Sequence, residues 1–454
     1  MTTPAATINI PDLLANSTVG PLQKRVFILC ALCLIIDGFD VQAMGYVAPA
    51  LVPDWKIDRS ALGPVFSAAN FGVLIGSLVF STVADKIGRR PVLVGATLFF
   101  AVMTLATAYA QNIDQLFWLR LVAGIGMGCI IPNATALVGE FSPAARRVTL
   151  MMTITVGFTA GAALGGFIAA WMIPLWGWRS VFLFGGAVPL VIGLAMVVSL
   201  PESLQFLAVR RRRLDLLAKW LTKLDPTIRV DASTEYIANE ESRSGVPFVH
   251  LFHDGRGLVT VLLWVINFMN LLNLYSLANW LPTVVAGMGY DTRTAVLVGT
   301  ILQVGGTIGT FGLAWLISRG GFVPMLATTF AVATVSIFLI GTPGISLTLL
   351  FVIVFVAGWC VVGGQPGMNA LAATFYPTYL RTTGVGFALG IGRIGAIVGP
   401  YIGGRMMAAQ WTNQQLFWAA AVPALISTLT LIALMFVMKG KLAAAPRGAA
   451  PVGH

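Results

Sequence analysis

Apolar residues in this chain run in blocks of about twenty or more, separated by short polar stretches. The blocks show neither the two-residue alternation of half-buried strands nor the single stripe of a surface helix. A helix needs ~20 mostly apolar residues to cross the hydrocarbon core of a bilayer. By that measure the pattern predicts twelve spans: 25–49, 61–84, 91–110, 115–139, 149–173, 179–199, 258–283, 294–317, 322–340, 345–374, 382–406 and 414–438. One longer polar segment, 200–257, divides the sixth from the seventh. The expectation is an all-α membrane protein with six-helix bundles at 25–199 and 258–438, an N-terminal segment 1–24 and a tail 439–454.

Composition closes off the alternatives. Of 454 residues, 57% are apolar and 10% charged, whereas a soluble domain carries about 25% charged residues. The low charge excludes a disordered chain, and four Cys are too few for a disulfide scaffold. Cys30 and Cys33 make a C-x-x-C, but within an apolar run, where a thiol behaves as a small hydrophobe. No structural disulfide, metal or cofactor is expected. The polar stretch before Lys24 has no basic segment followed by an apolar one, so no cleavable signal is expected either.

The net charge of +11 changes the picture only through its distribution. No basic stretch is interleaved with aromatics as in a single-strand binder, so nucleic acid is not an expected partner. If both termini are cytoplasmic, the inner loops hold 21 of the 28 Lys and Arg, including Lys86, Arg89, Arg90, Arg146, Arg147 and the run Arg210 to Arg213. The outer loops then hold five, and Arg120 and Arg393 fall within spans. Cytoplasmic loops carry such an excess, so both termini are expected to be cytoplasmic.

The two halves resemble each other. At an offset of 233, Asp37 falls on Asn270, Asp40 on Asn273, Pro49 on Pro282 and Asp85 on Ser318. At 234, Pro143 falls on Pro377 and Arg147 on Arg381. Six-helix repeats in one orientation, related by an axis along the membrane normal, put a substrate site at midplane between them.

Embedded polar residues are the chemical candidates. An unpaired charge at the bilayer centre costs several kcal/mol, which makes intramembrane Asp and Arg functional by default. Asp37 and Asp40 share one helix face and lie ~20 and ~24 Å from the Lys24 end. Arg120 enters from the opposite side and reaches a similar level. A carboxyl with a cation at its own height can cycle between ionised and protonated as its surroundings change. Proton coupling through Asp37, Asp40 and Arg120, with Glu140 at the inner end of the same span, is one reading; a permanent Asp–Arg structural pair is the other. Arg393, ~18 Å into its span, offers a planar fork that matches a carboxylate. The alternative is an Arg that holds neighbouring carbonyls. Asn267, Asn270 and Asn273 repeat every three residues as one polar stripe, joined as substrate candidates by Gln365, Asn369 and Trp359. Helix glue is the competing use of such amides. Trp264 and Trp359 are aromatic enough to stack on a ring, though ring packing in spans is common. Gly124, Gly126 and Gly128 follow no strand, so they read as close helix packing and not as a nucleotide loop.

Several motifs resemble a known family. ADKIGRR, Ala84 to Arg90, is similar to the Asp-Arg/Lys-x-Gly-Arg-Arg signature of the major facilitator superfamily, with Ser81 where its leading Gly usually stands. The second-half loop ISRGGF keeps Arg319 and Gly321 but has Ser318 at the acidic position. RLVAGIGMG (Arg120, Gly124, Gly126) matches the Arg-x-x-x-Gly-x-Gly pattern, and EFSPAARR (Glu140 to Arg147) and PES (Pro201 to Ser203) resemble the sugar and organic-acid branches. DGFDVQAMGYVAPAL, Asp37 to Leu51, looks like the aromatic acid:proton symporter family, as do FMNLLNLYSLANWLPT and GIGRIGAIVGP. The resemblance implies the major facilitator fold and proton-coupled import of aromatic carboxylates of the benzoate and hydroxybenzoate class across a bacterial inner membrane. It also implies a cytoplasmic latch at Asp85, Arg89, Arg147 and Arg381. The expected partners are the aromatic acid, protons and the lipid bilayer, with the chain monomeric and not an enzyme.

Three other readings stay open. Drug:proton antiporters carry Gly-Pro-x-x-Gly-Gly in the fifth helix, where this chain has GAALGG with Ala162 in place of Pro; GPYIGG occurs instead at Gly399 to Gly404. A sugar porter is compatible with PES and EFSP, but sugar sites lack a midplane Arg. A transporter-like sensor would need an output domain, and the central loop is short.

Overall fold

The computed structural model describes residues 7–209, 214–224, 235–237, 248–253 and 255–444. Twelve described helices are long and apolar enough to cross a membrane. Spans 1 to 6 are Pro21–Trp55, Leu62–Ile87, Arg89–Thr107, a fourth in two pieces (Ile113–Met127 and Ile130–Phe141), Arg147–Trp176 and Arg179–Ser199. Spans 7 to 12 are Gly257–Ala286, Thr292–Gly320, Phe322–Ile340, Leu347–Phe375, Thr378–Ala408 and Asn413–Ala444. Every predicted span is present, with ends displaced by a few residues. Large apolar side chains face outward along them, among them Leu78, Trp171, Val198, Phe311, Val335 and Phe436. Water would not tolerate that surface and lipid does. The chain is a multi-pass membrane protein.

Local chemistry sets the helix ends. Pro21 occupies the first turn of span 1, where its missing N–H costs nothing, and Gly20 N–H donates to Gln23 Oε1 at 2.6 Å. Span 1 stops at Lys56, which adopts φ 52°. Asn112 caps span 4 by accepting from Gln115 N–H at 2.9 Å, the usual service of an N-cap amide.

The chain forms two compact units: Met1–Ser244 with Ala278–Gln303 and Pro400–Arg405, and Gly245–Leu277 with Val304–Gly399 and Met406–His454. The first unit thus takes in two segments from beyond the first six spans. A Cβ on Gly45 of span 1 would lie 2.7 Å from the Ala278 carbonyl oxygen, and one on Gly63 would lie 3.0 Å from Gly404 Cα. The core of this unit runs through Val26, Leu34, Phe100, Leu137, Phe141 and Met196. In the second unit span 9 packs on spans 10 and 12, burying Phe330, Ala333 and Ile337.

Part of the segment expected to be a plain polar loop is structured. Helices Leu204–Val209 and Leu214–Leu224 belong to the first unit, with Leu207, Leu217 and Leu221 in the same core cluster. Residues Thr7–Asn9 pair in parallel with Glu235–Ile237.

Spans 1 and 5 cross where neither has a side chain. A Cβ on Gly38 would stand 1.9 Å from the Phe158 carbonyl oxygen, and one on Gly161 would stand 1.9 Å from that of Ile35. Small residues at such crossings let backbones pack without lipid between them. Gly161→Val therefore forces the pair apart, at a cost of ~1–3 kcal/mol or more. Its unfolding temperature in detergent should drop well below that of Gly95→Ala, since a Cβ at Gly95 meets nothing within 4 Å.

Candidate functional site

In the first unit Asp40 and Arg120 form a buried bidentate pair. Arg120 Nη2 donates to Asp40 Oδ2 at 2.8 Å, Nη1 donates to Oδ1 at 3.3 Å, and Nη2 also reaches the Asp40 carbonyl at 3.2 Å. Thr104 of span 3 donates to Asp40 Oδ1 at 3.0 Å. Arg120 is 1% exposed and Asp40 0%, and the guanidinium lies 5.7 Å from the Phe182 ring centre. Spans 1, 3, 4 and 6 thus converge on one ion pair at the level where the sequence set Asp40 and Arg120. Asp37 is buried one turn away. Thr104 had no signal in the sequence.

Beside the pair, Gln42 joins three helices. It donates to the Ala278 carbonyl and accepts from Gln303 Nε2 at 3.2 Å, and both glutamines are buried. Tyr46, one turn on, donates to the Ala162 carbonyl at 2.9 Å. Trp280 donates to the Pro400 carbonyl at 2.9 Å and meets Phe66 edge-on at 4.9 Å. The starts and ends of spans 7, 8 and 11 that belong to this unit are anchored by these contacts.

At the Lys/Arg-rich end of the same unit, Arg89 Nε pairs with Glu140 Oε1 at 2.8 Å. Glu202, of the Pro-Glu-Ser motif, accepts backbone N–H groups from Arg89 (3.1 Å), Arg90 (3.1 Å) and Ser203 (2.9 Å). It thereby caps the first turn of span 3, a role the sequence reading did not assign. Burial pushes the Glu202 carboxyl above the usual carboxylate range, while those N–H groups and Arg90 pull it down. Gly88 precedes them at φ 108°, and a Cβ there would lie 2.3 Å from Glu202 Oε2. Glu140 thus lies beside Arg89, twenty residues along span 4 from Arg120, about 30 Å at helical rise. Arg147 is half-buried and Arg381, in the second unit, is exposed. The Asp85 side chain lies outside the described residues.

The second unit gathers the amides. Asn270 Nδ2 donates to Gln365 Oε1 at 2.7 Å and to the Val361 carbonyl at 3.3 Å. Gln365 Nε2 donates to Asn267 Oδ1 at 3.2 Å and to Asn369 Oδ1 at 3.0 Å. Asn267 also donates to the Leu263 carbonyl at 2.9 Å. Spans 7 and 10 are therefore joined by a four-residue amide network. Asn273, one turn further on, is 1% exposed, and neither its Oδ1 nor its Nδ2 has a hydrogen-bond partner.

Span 11 runs close against span 7 here. A Cβ on Gly392 would lie 3.3 Å from the Asn267 carbonyl oxygen and 2.6 Å from Leu271 Cδ1. Arg393 follows that contact by one residue. It is half-buried, and the ion pairs and hydrogen bonds of the described residues do not include it. Trp359 fills the groove beside Gly309 and Gly312 of span 8, and Trp264 stacks on Phe248 at 5.9 Å; both rings are engaged in packing.

The profile of the Major Facilitator Superfamily matches residues 30–353. The chain belongs to the major facilitator superfamily. It is 39% identical over 426 residues to the 4-hydroxybenzoate transporter PcaK of Pseudomonas putida, covering 94% of this chain and 95% of that one. It is 37% identical to the gallate transporter of the same organism, over 94% of this chain and 95% of that one. Identity to the benzoate transport protein of Acinetobacter baylyi is 30%, over 93% and 92%. Among solved structures, a D-xylose-proton symporter superposes with a TM-score of 0.70 at 17% identity, covering 90% of this chain and 96% of that one. As a member of this superfamily the chain is a membrane transporter and not an enzyme.

Proposed function

We propose that the chain is a proton-coupled symporter that imports aromatic carboxylates of the benzoate and hydroxybenzoate class by alternating access. One observation carries the substrate class. Of the two arginines that the sequence sets deep within spans, Arg120 is neutralised by Asp40, whereas Arg393 is half-buried with no anion beside it among the described residues. A fixed guanidinium at that depth is costly unless a counter-charge arrives, and an arriving carboxylate fits its fork. Asn267, Asn270, Gln365 and Asn369 would supply neutral hydrogen bonds to the bound acid, and Asn273 would meet a substituent of the ring. The similarity to transporters of 4-hydroxybenzoate, gallate and benzoate supports the same class.

In this reading Asp37 and Asp40, with Arg120, carry the proton, and Asp85, Arg89, Glu140 and Arg147 serve as a cytoplasmic latch in the first unit, with Arg381 the repeat-related residue of Arg147 in the second half. Both termini are cytoplasmic, in a bacterial inner membrane, and the working unit is a monomer. The test is uptake of labelled benzoate and 4-hydroxybenzoate into proteoliposomes with an imposed inward proton gradient. Accumulation that collapses when the gradient is dissipated is the expected result. Uptake that only equilibrates, or that prefers xylose, would sink the proposal.

A further inference from the structure

Span 7 carries an unusual set of buried polar atoms without hydrogen-bond partners: Trp264 Nε1, Asn270 Oδ1, both Oδ1 and Nδ2 of Asn273, and Thr283 Oγ1. Buried polar groups are nearly always paired, and an unpaired one calls for an explanation. Asn273 is the extreme case, since its whole amide is unsatisfied at 1% exposure. Its repeat-related residue, Asp40, offers the contrast. That side chain sits at the same register of the first half and is fully engaged by Arg120 and Thr104.

The chemistry of the gap narrows the occupant. A primary amide presents donors on nitrogen and an acceptor on oxygen, and a hydroxyl both donates and accepts. A carboxylate only accepts, so it would satisfy Nδ2 and leave Oδ1 facing another oxygen. Position agrees with this. Gly392 packs at Asn267, which sets Arg393 near that level of span 7, and Asn273 lies six residues, about 9 Å, further along the helix. A hydroxyl para to the carboxylate lies on the far side of the ring, so an aromatic acid held at Arg393 and lying along span 7 would bring that hydroxyl toward Asn273.

Resting on the proposed function, we infer that Asn273 is the residue that reads a ring hydroxyl remote from the substrate carboxylate. It sets preference among aromatic acids without contributing to recognition of the carboxylate. A site built to hydrogen-bond a hydroxyl discriminates strongly against the analogue that lacks it.

The experiment measures binding of benzoate and of 2-, 3- and 4-hydroxybenzoate to purified full-length protein, wild type and Asn273→Ala. The expected result is a loss of about tenfold or more for 4-hydroxybenzoate, in keeping with a lost specific hydrogen bond, with benzoate changed less than twofold. Benzoate binding also reports that the variant is folded. Asn273→Thr, which keeps a donor and an acceptor on one atom, should restore part of the preference. Equal loss for both acids, or a preference unchanged by Asn273→Ala, overturns the inference. Failure of the wild-type protein to bind any of these acids is a separate outcome that overturns the proposed function as well.

Discussion

Arg393→Ala should abolish measurable binding of an aromatic acid while leaving the unfolding temperature close to that of the wild type. The two halves of that result have one cause. Arg393 has no ion pair among the described residues, so its removal leaves no buried carboxylate stranded and the fold loses little. On the proposed function the substrate, by contrast, loses the fixed counter-charge that its carboxylate meets. Truncating one partner of a buried charge-assisted hydrogen bond costs ~2–5 kcal/mol, roughly 30- to several-thousand-fold in affinity. Arg393→Lys keeps the charge but not the planar fork, so binding should weaken without vanishing. A neutral amide analogue of the substrate should be affected far less than the acid. Equal losses for acid and amide would show that Arg393 organises span 11 and not the ligand.

The fold was almost entirely legible because lipid imposes it. Twenty apolar residues in a row have few other uses, so the spans could be counted without knowing how they pack. The features that escaped are those where the same residues serve two environments. Leu214–Leu224 holds Leu217 and Leu221 against the first unit's core with Lys219 and Lys223 on the same helix; that spacing is amphipathic, but the stretch is too short and too polar to stand out beside twelve apolar blocks. The break in span 4 at Gly128 and Cys129 left no mark in an apolar run.

For the site, depth was legible and rotation was not. Counting residues put Asp37, Asp40 and Arg120 at one height, but which carboxylate meets the guanidinium depends on how spans 1 and 4 turn. Thr104 and Phe182 had to come from spans 3 and 6 to complete the enclosure. The three-residue repeat of Asn267, Asn270 and Asn273 shows a polar stripe, but not that Gln365 of span 10 meets the first two and leaves the third unpaired. Glu140 could not be sorted by type alone. Its partner Arg89 sits in a loop motif fifty residues away in the chain, and no periodicity links the two.

Neutralising Asp40 has the second large expected effect, and it must be separated from damage to the fold. Asp40→Asn should stop accumulation of substrate against a gradient, because a carboxamide cannot exchange a proton in this range. It also leaves Arg120 charged at 1% exposure with its bidentate partner gone, and breaking a buried pair costs ~3–5 kcal/mol. Loss of transport in the single variant therefore has two explanations. The double variant Asp40→Asn, Arg120→Gln removes one of them. Two neutral amides in place of the ion pair leave no uncompensated charge, so the unfolding temperature should recover most of what the single change loses. Coupling should not recover. The double variant is expected to equilibrate labelled substrate across a vesicle membrane, or exchange it for unlabelled substrate, without concentrating it when a proton gradient is imposed. Asp37→Asn supplies the matching control, since the Asp40–Arg120 pair stays intact: stability near wild type with accumulation lost would place Asp37 in the proton path too. If the double variant concentrates substrate as the wild type does, the Asp40–Arg120 pair is a structural rivet and the proton travels elsewhere. If it neither exchanges nor equilibrates substrate while remaining folded, the pair is needed for the conformational cycle itself and not for the proton.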